Sequence, residues 1–205
     1  MYSYSKKEIL GYKIYLDIIE KRMLNKYFEN QKPYLCCKKG CSYCCEKGDF
    51  PTTEIEIQYL YCGYMYLSND IKKIIYEKIC KLKELRKQHS EDKEFLYECP
   101  FLINKACCLY EFRPIICRTH GLMFFLTDKN GELHKKIPYC VNLGLNYANV
   151  YDTEQKIITT EKWHQSGIEV EPNAFNISKK ILKSKDLTEP LGFVFGEDKR
   201  MIDWL

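Results

Sequence analysis

The residues best suited to chemistry in this sequence are its thiols. Twelve cysteines occur in 205 residues, and they are bunched. The first knot reads Cys37-Lys-Lys-Gly-Cys41-Ser-Tyr-Cys44-Cys45, and the second opens at Cys99-Pro-Phe-Leu and continues through Cys108-Leu-Tyr-Glu-Phe-Arg-Pro-Ile-Ile-Cys117-Arg. Thiols this close together are paired as disulfides, bound to metal, or used in catalysis. Thiolates favour borderline or soft metals, either zinc as a tetrahedral ion or iron, alone or within an iron–sulfur cluster. A short separation such as Cys41 to Cys44 lets one loop grip a metal from two sides, while the distant knot closes the coordination sphere. Ligands spread from Cys37 to Cys140 would pin together about a hundred residues, so that loss of metal loosens the middle of the fold.

The neighbours of these thiols refine the expectation. Side chains of adjacent residues diverge, by about 100° on a helix or to opposite faces of a strand. Cys44 and Cys45 therefore argue for two nearby metals, or for one ligand and one structural thiol. Eight thiolates suit two four-coordinate ions, a bridged pair, or one cluster beside a separate site. Lys38, Lys39, Arg113 and Arg118 stand next to them, where cations offset thiolate charge and donate hydrogen bonds to the ligands. His120 follows Cys117 at a spacing compatible with a shared metal, although a lone histidine is more often a hydrogen-bonded structural residue. His89, His134 and His164 have no such neighbourhood. No Ser/His/Asp elbow, Walker loop or dinucleotide glycine pattern occurs. Arg118 would lower the pKa of Cys117 and make it a candidate nucleophile, but the crowd of thiols favours metal binding.

Composition sets the surroundings. The stretch from Ile9 to Ile19 is interrupted by Lys13 and Asp17, so it has neither the uninterrupted core of a signal peptide nor a small-residue cleavage site. No segment approaches the roughly 20 apolar residues that span a bilayer. The chain reads as cytoplasmic and reduced, a compartment in which clustered cysteines are metal ligands or catalytic groups rather than disulfides. A net charge of +4, from 32 basic and 28 acidic residues largely interleaved, is not a nucleic-acid footprint.

The elements that must position the thiols follow from periodicity. Residues 6 to 30 carry apolar side chains at helical spacing and predict an amphipathic helix that ends before Pro33. The knot from Cys36 to Cys45 has no periodicity and reads as a tight loop. Thr53 with Glu56 forms a capping box that starts a helix running to about Leu67. A second helix runs from Asp70 to about Gln88, with Ile71, Ile74, Ile75, Ile79, Leu82 and Leu85 as its buried stripe. Cys62 and Cys80 lie inside these two helices among apolar neighbours and read as small core residues. Residues 91 to 98 are a charged connector. Gly121 to Thr127 reads as a strand, residues 128 to 131 as its turn, and Leu133 to Tyr139 as the returning strand of a short hairpin that delivers Cys140. Beyond residue 150 the periodicity is weak, with Asn176 to Leu182 the better helical patch.

Together these motifs resemble the YkgJ-like cysteine-cluster proteins, a family described as a zinc- or iron-chelating domain. The resemblance covers about residues 36 to 140: Cys37, Cys41, Cys44 and Cys45, then Cys99-Pro100-Phe101-Leu102, then Cys108, Tyr110, Arg113, Pro114, Cys117 and Arg118, then Cys140. It implies that these eight cysteines carry the metal site and leaves Cys36, Cys62, Cys80 and Cys107 as extras. Around Cys140 the chain reads Cys-Val-Asn where the family commonly has Cys-Pro-Gly. A similar cysteine block occurs in flagellin lysine N-methylases, which look like iron–sulfur enzymes.

The expectation is a mainly α fold with irregular metal-stapled loops and one short β-hairpin. Residues 1–205 form a single domain, residues 36–140 its cysteine-cluster region and residues 141–205 an extension of the same unit. Its function is that of a cytoplasmic metal-binding protein chelating zinc or iron ions through eight cysteines, with metal ions as its partners and no membrane. Two alternatives remain: an iron–sulfur-dependent enzyme modifying a protein or peptide, and a redox or metal sensor using extra thiols such as Cys36 and Cys107.

Overall fold

A computed structural model describes residues 4–38, 40–48, 50–89, 95–127, 131–176, 182 and 184–205. It is mainly helical, with short two- and three-stranded ribbons, as expected. Along the chain, α1 (Lys6–Ile19) passes through a π-turn (Glu20–Leu24) into α2 (Asn25–Gln31) and a 3-10 turn (Lys32–Tyr34) that contains Pro33. The predicted helix over 6 to 30 is thus one nearly continuous helical run. There follow α3 (Tyr43–Glu46), β1 (Pro51–Thr53), α4 (Glu54–Met65), α5 (Asn69–Gln88), β2 (Leu102–Ile103), β3 (Ala106–Cys107) and α6 (Ile115–Thr119). The remainder comprises β4 (Phe124–Thr127), β5 (Leu133–Lys136), β6 (Tyr151–Asp152), β7 (Ile157–Ile158), α7 (Thr160–Ser166), β8 (Phe175–Asn176), α8 (Lys185–Thr188), β9 (Asp198–Arg200) and α9 (Met201–Trp204). No described helix is long and apolar enough to cross a membrane.

The chain divides into two compact units. The first comprises residues 1–13, 39–118 and 191–205, and the second residues 14–38 and 119–190. The division falls within α1 and near the end of α6, so it does not follow the 36–140 region read from the sequence.

In the first unit β1 pairs antiparallel with β9, in the register Pro51↔Arg200 to Thr53↔Asp198. The capping box is present. The Glu56 carboxylate accepts from the Thr53 main-chain N–H at 2.8 Å and from its hydroxyl at 2.7 Å, which satisfies groups otherwise orphaned at the helix start. Its second oxygen accepts the Ile115 N–H at 2.8 Å, so the cap of α4 also holds the start of α6, the helix of Cys117. The core gathers Phe50, Ile57, Leu60, Ile75, Leu82, Phe101, Leu109 and Met201, and Cys45, Cys107, Cys108 and Cys117 pack against it.

α5 corrects two details of its predicted stripe. Ile75 and Leu82 are buried, but Ile74 and Leu85 are 41% and 48% exposed. At about 100° per residue, those two lie on the edge of the stripe rather than within it. Cys80 falls on the opposite side from Leu82 by the same arithmetic, and it is exposed, whereas a core position was expected. Cys62 is half-buried, and burial pushes its thiol up.

In the second unit the predicted hairpin forms. β4 and β5 pair antiparallel from Phe124↔Lys136 to Thr127↔Leu133, and β8 adds to β4 in parallel. The turn over 128–130 lies outside the described residues, as do Lys39, the 91–94 part of the charged connector and most of the helical patch from 176 to 182. A 3-10 turn (Tyr139–Leu143) then carries Cys140. This unit's core includes Tyr34, Met123, Val141, Tyr147, Val150 and Tyr151. Tyr34 stacks on Tyr147 with ring centroids 5.4 Å apart, and the Tyr147 N–H donates to the Tyr34 carbonyl at 2.9 Å.

Candidate metal centre

The predicted ligands fall on both sides of the division. Cys41, Cys44, Cys45, Cys99, Cys108 and Cys117 belong to the first unit, and Cys37 and Cys140 to the second. All twelve cysteines are free thiols.

In the first unit, the chain around Cys44 and Cys45 forms the single helical turn α3 rather than a pure loop. The Cys45 N–H donates to the Ser42 carbonyl at 2.7 Å. Despite the divergence expected of adjacent residues, the Cys44 thiol lies close enough to Cys45 to hydrogen-bond with it. The Cys45 carbonyl accepts the Cys99 N–H at 2.8 Å, which ties the first knot to the start of the second by main chain alone. From Cys99 the chain turns through the β2–β3 ribbon, where Leu102 pairs with Cys107 and the Cys108 N–H donates to Phe101 at 3.0 Å. Phe112 then packs under α4: a Cβ on Gly63 would lie 2.4 Å from its ring, so only glycine permits this approach.

Electrostatics give the group its character. Burial pushes the Cys99 thiol up to about 12 and Cys108 to about 11. Cys117 is driven well above the usual range, by burial first and then by the nearby Cys99, Cys107 and Cys44 sulfurs. The hydrogen bond that the Cys44 thiol makes to Cys45, together with burial, raises Cys44 strongly. The Arg113 guanidinium acts in the opposite direction on Cys44, Cys107 and Cys117. It is held by its Nε donating to the Tyr110 carbonyl at 2.8 Å and stands 3.5 Å from the Tyr110 ring centre. Arg118 serves differently: it is buried, and its guanidinium braces the Glu111 and Arg113 carbonyls at 2.6 and 2.9 Å. Lys38, in the second unit, is exposed.

Two members of this neighbourhood were not expected. Cys107, set aside as an extra, is among the sulfurs felt by Cys99, Cys108 and Cys117. Lys78 on α5 lowers Cys99 and Cys108, and it is anchored by Glu98 at 2.5 Å and the Leu102 carbonyl at 2.7 Å. Nothing local in sequence pointed to Lys78.

In the second unit, Cys37 and Cys140 both lie in the electrostatic surroundings of the Tyr147 hydroxyl, which burial above all pushes far up. His120 is in this unit too, half-buried.

Among the described residues, no three His, Cys, Asp or Glu side chains converge closely enough to form a ready-made metal site. The first unit's thiols nevertheless fit a soft or borderline cation by donor type. Cys99, Cys108 and Cys117 are raised by burial and have Arg113 or Lys78 nearby, so a cation that takes the place of their protons relieves the cost of burying the anions. No known family model, curated protein or solved structure matches the chain.

Proposed function

We propose that this chain is a cytoplasmic metal-binding protein that chelates zinc or iron through its cysteine knots, in the manner of the YkgJ-like proteins that its motifs resemble. The observation that supports this reading is the packing of Cys45, Cys99, Cys108 and Cys117 against one core, with the Cys44, Cys99, Cys108 and Cys117 thiols raised and two cations nearby. With Cys41, these supply the donors of the first unit, and Cys37 and Cys140 supply donors in the second. A bound ion would contribute a cross-link between segments distant in sequence. The protein's own part is to present the sulfurs, to hold Arg113 and Lys78 near them, and to release thiol protons on uptake.

The test is titration of zinc or ferrous iron into the reduced, metal-free chain, following both proton release and competition with a chromogenic chelator. Tight uptake with protons released supports the proposal. Failure to withdraw either metal from the chelator would overturn it.

A further inference from the structure

In the first unit, the bonding of residues 95–99 alternates. The Tyr97 N–H donates to the Gly48 carbonyl and the Gly48 N–H to the Tyr97 carbonyl, both at 3.1 Å, and the Cys99 N–H donates to the Cys45 carbonyl at 2.8 Å. Phe95, Tyr97 and Cys99 are buried, whereas Leu96 and Glu98 are exposed. Both alternations mark an extended chain, whose main-chain groups point by turns to its two edges. One edge is taken by residues 45–48. The other carries the N–H and C=O groups of Leu96 and Glu98, which have no hydrogen-bond partner among the described residues.

A cavity of about 440 Å³ runs along this second edge. The four consecutive residues from Phe95 to Glu98 all line it, so both faces of the extended chain contribute, as they do only along an edge. No residue of 45–48 is among its walls. The opposite wall is α5, where Leu82 and Leu85 supply apolar surface and Lys78 and Lys81 each stand four residues earlier, about one turn away. Lys78 is engaged by Glu98 at 2.5 Å and by the Leu102 carbonyl at 2.7 Å. Lys81 is exposed and has no acidic partner among the described residues.

An open main-chain edge is satisfied by another extended chain, whose own N–H and C=O groups continue the ladder, whereas a purely apolar molecule would leave it unpaired. The leucines of α5 suit apolar side chains at alternate positions of that chain, and the free Lys81 ammonium suits a carboxylate beside them. We propose that this groove docks an extended peptide segment of a partner protein, alternating apolar and acidic residues, on the edge formed by Leu96 and Glu98. The docking involves no metal and is independent of the chelation reading.

The probe is a dye-labelled hexapeptide of alternating valine and glutamate, titrated into the full-length chain as purified. Fluorescence anisotropy gives its affinity and main-chain amide NMR its place. Binding that shifts the Leu96 and Glu98 amides and slows their hydrogen exchange is the expected result. Two further peptides carry N-methyl groups, one on every valine and the other on every glutamate. Residues of one kind share an edge of the extended peptide, so one of these two should bind about tenfold more weakly and the other within about threefold of the parent. Lys81→Glu, a change at an exposed position, should weaken the parent peptide about fivefold and favour its valine–lysine counterpart. Equal affinity of the two N-methylated peptides, a contact that spares Leu96 and Glu98, unchanged affinity in Lys81→Glu, or no binding at about 1 mM peptide would each overturn the proposal.

Discussion

Cys117 is the residue at which most of the first unit's chemistry meets, since Cys99, Cys107 and Cys44 all act on its thiol and Arg113 opposes them. Cys117→Ser should therefore remove at least half of the metal bound to the first unit, as read by elemental analysis. Cys80→Ser should leave metal content unchanged and shift stability by no more than about 0.5 kcal/mol, because Cys80 is exposed on α5. At this scale the sequence was legible where spacing speaks and less so where orientation decides. The knots were plain from spacing. The contact between Cys44 and Cys45, the inward turn of Cys107 and the exposure of Cys80 depend on where each Cβ points, which residue type alone does not carry.

The elements explain how the thiols are held. Glu56 caps α4 and also fixes the start of α6, from a site only 4% exposed. Replacing it by alanine leaves the Ile115 N–H and the Thr53 groups without their acceptor, and should cost about 2–4 kcal/mol in urea unfolding. Gly63→Val would drive a side chain into the Phe112 ring, displacing the segment that leads to Arg113. Lower stability with weakened metal retention is the expected result, and full retention in a chelator challenge would contradict it.

In the second unit, Asp152 accepts the N–H groups of Gln155 at 2.8 Å and Glu154 at 2.9 Å, with Lys162 nearby at 3.8 Å. The Gln155 bond above all, then Glu154 and Lys162, holds its carboxyl below the usual value. A lowered folded value contributes stability that is present above the unfolded value and lost as pH falls through the folded one. Thermal stability should thus decline below about pH 4, and Asp152→Asn should blunt that decline. The capping box and the β4–β5 hairpin were legible because each is a local pattern. The second role of Glu56 was not, since its partner lies 59 positions away.

At the scale of the molecule, periodicity conveyed a mainly helical chain with short ribbons, and the structure agrees. The composition of the two units was not legible. Residues 191–205 join 39–118 through the pairing of β1 with β9, a contact between segments of unremarkable sequence that only the folded chain brings together. The division also separates Cys37 from Cys41 despite their four-residue spacing. The central claim is that these thiols exist to bind metal. Elemental analysis with a visible absorption spectrum, on protein purified without oxygen, tests it most directly. Stoichiometric zinc in a colourless protein, or iron with sulfur-to-iron charge-transfer bands, is the predicted result, and the spectrum separates an isolated iron from a cluster. Protein that carries neither metal, with all twelve thiols open to alkylation, would contradict the account.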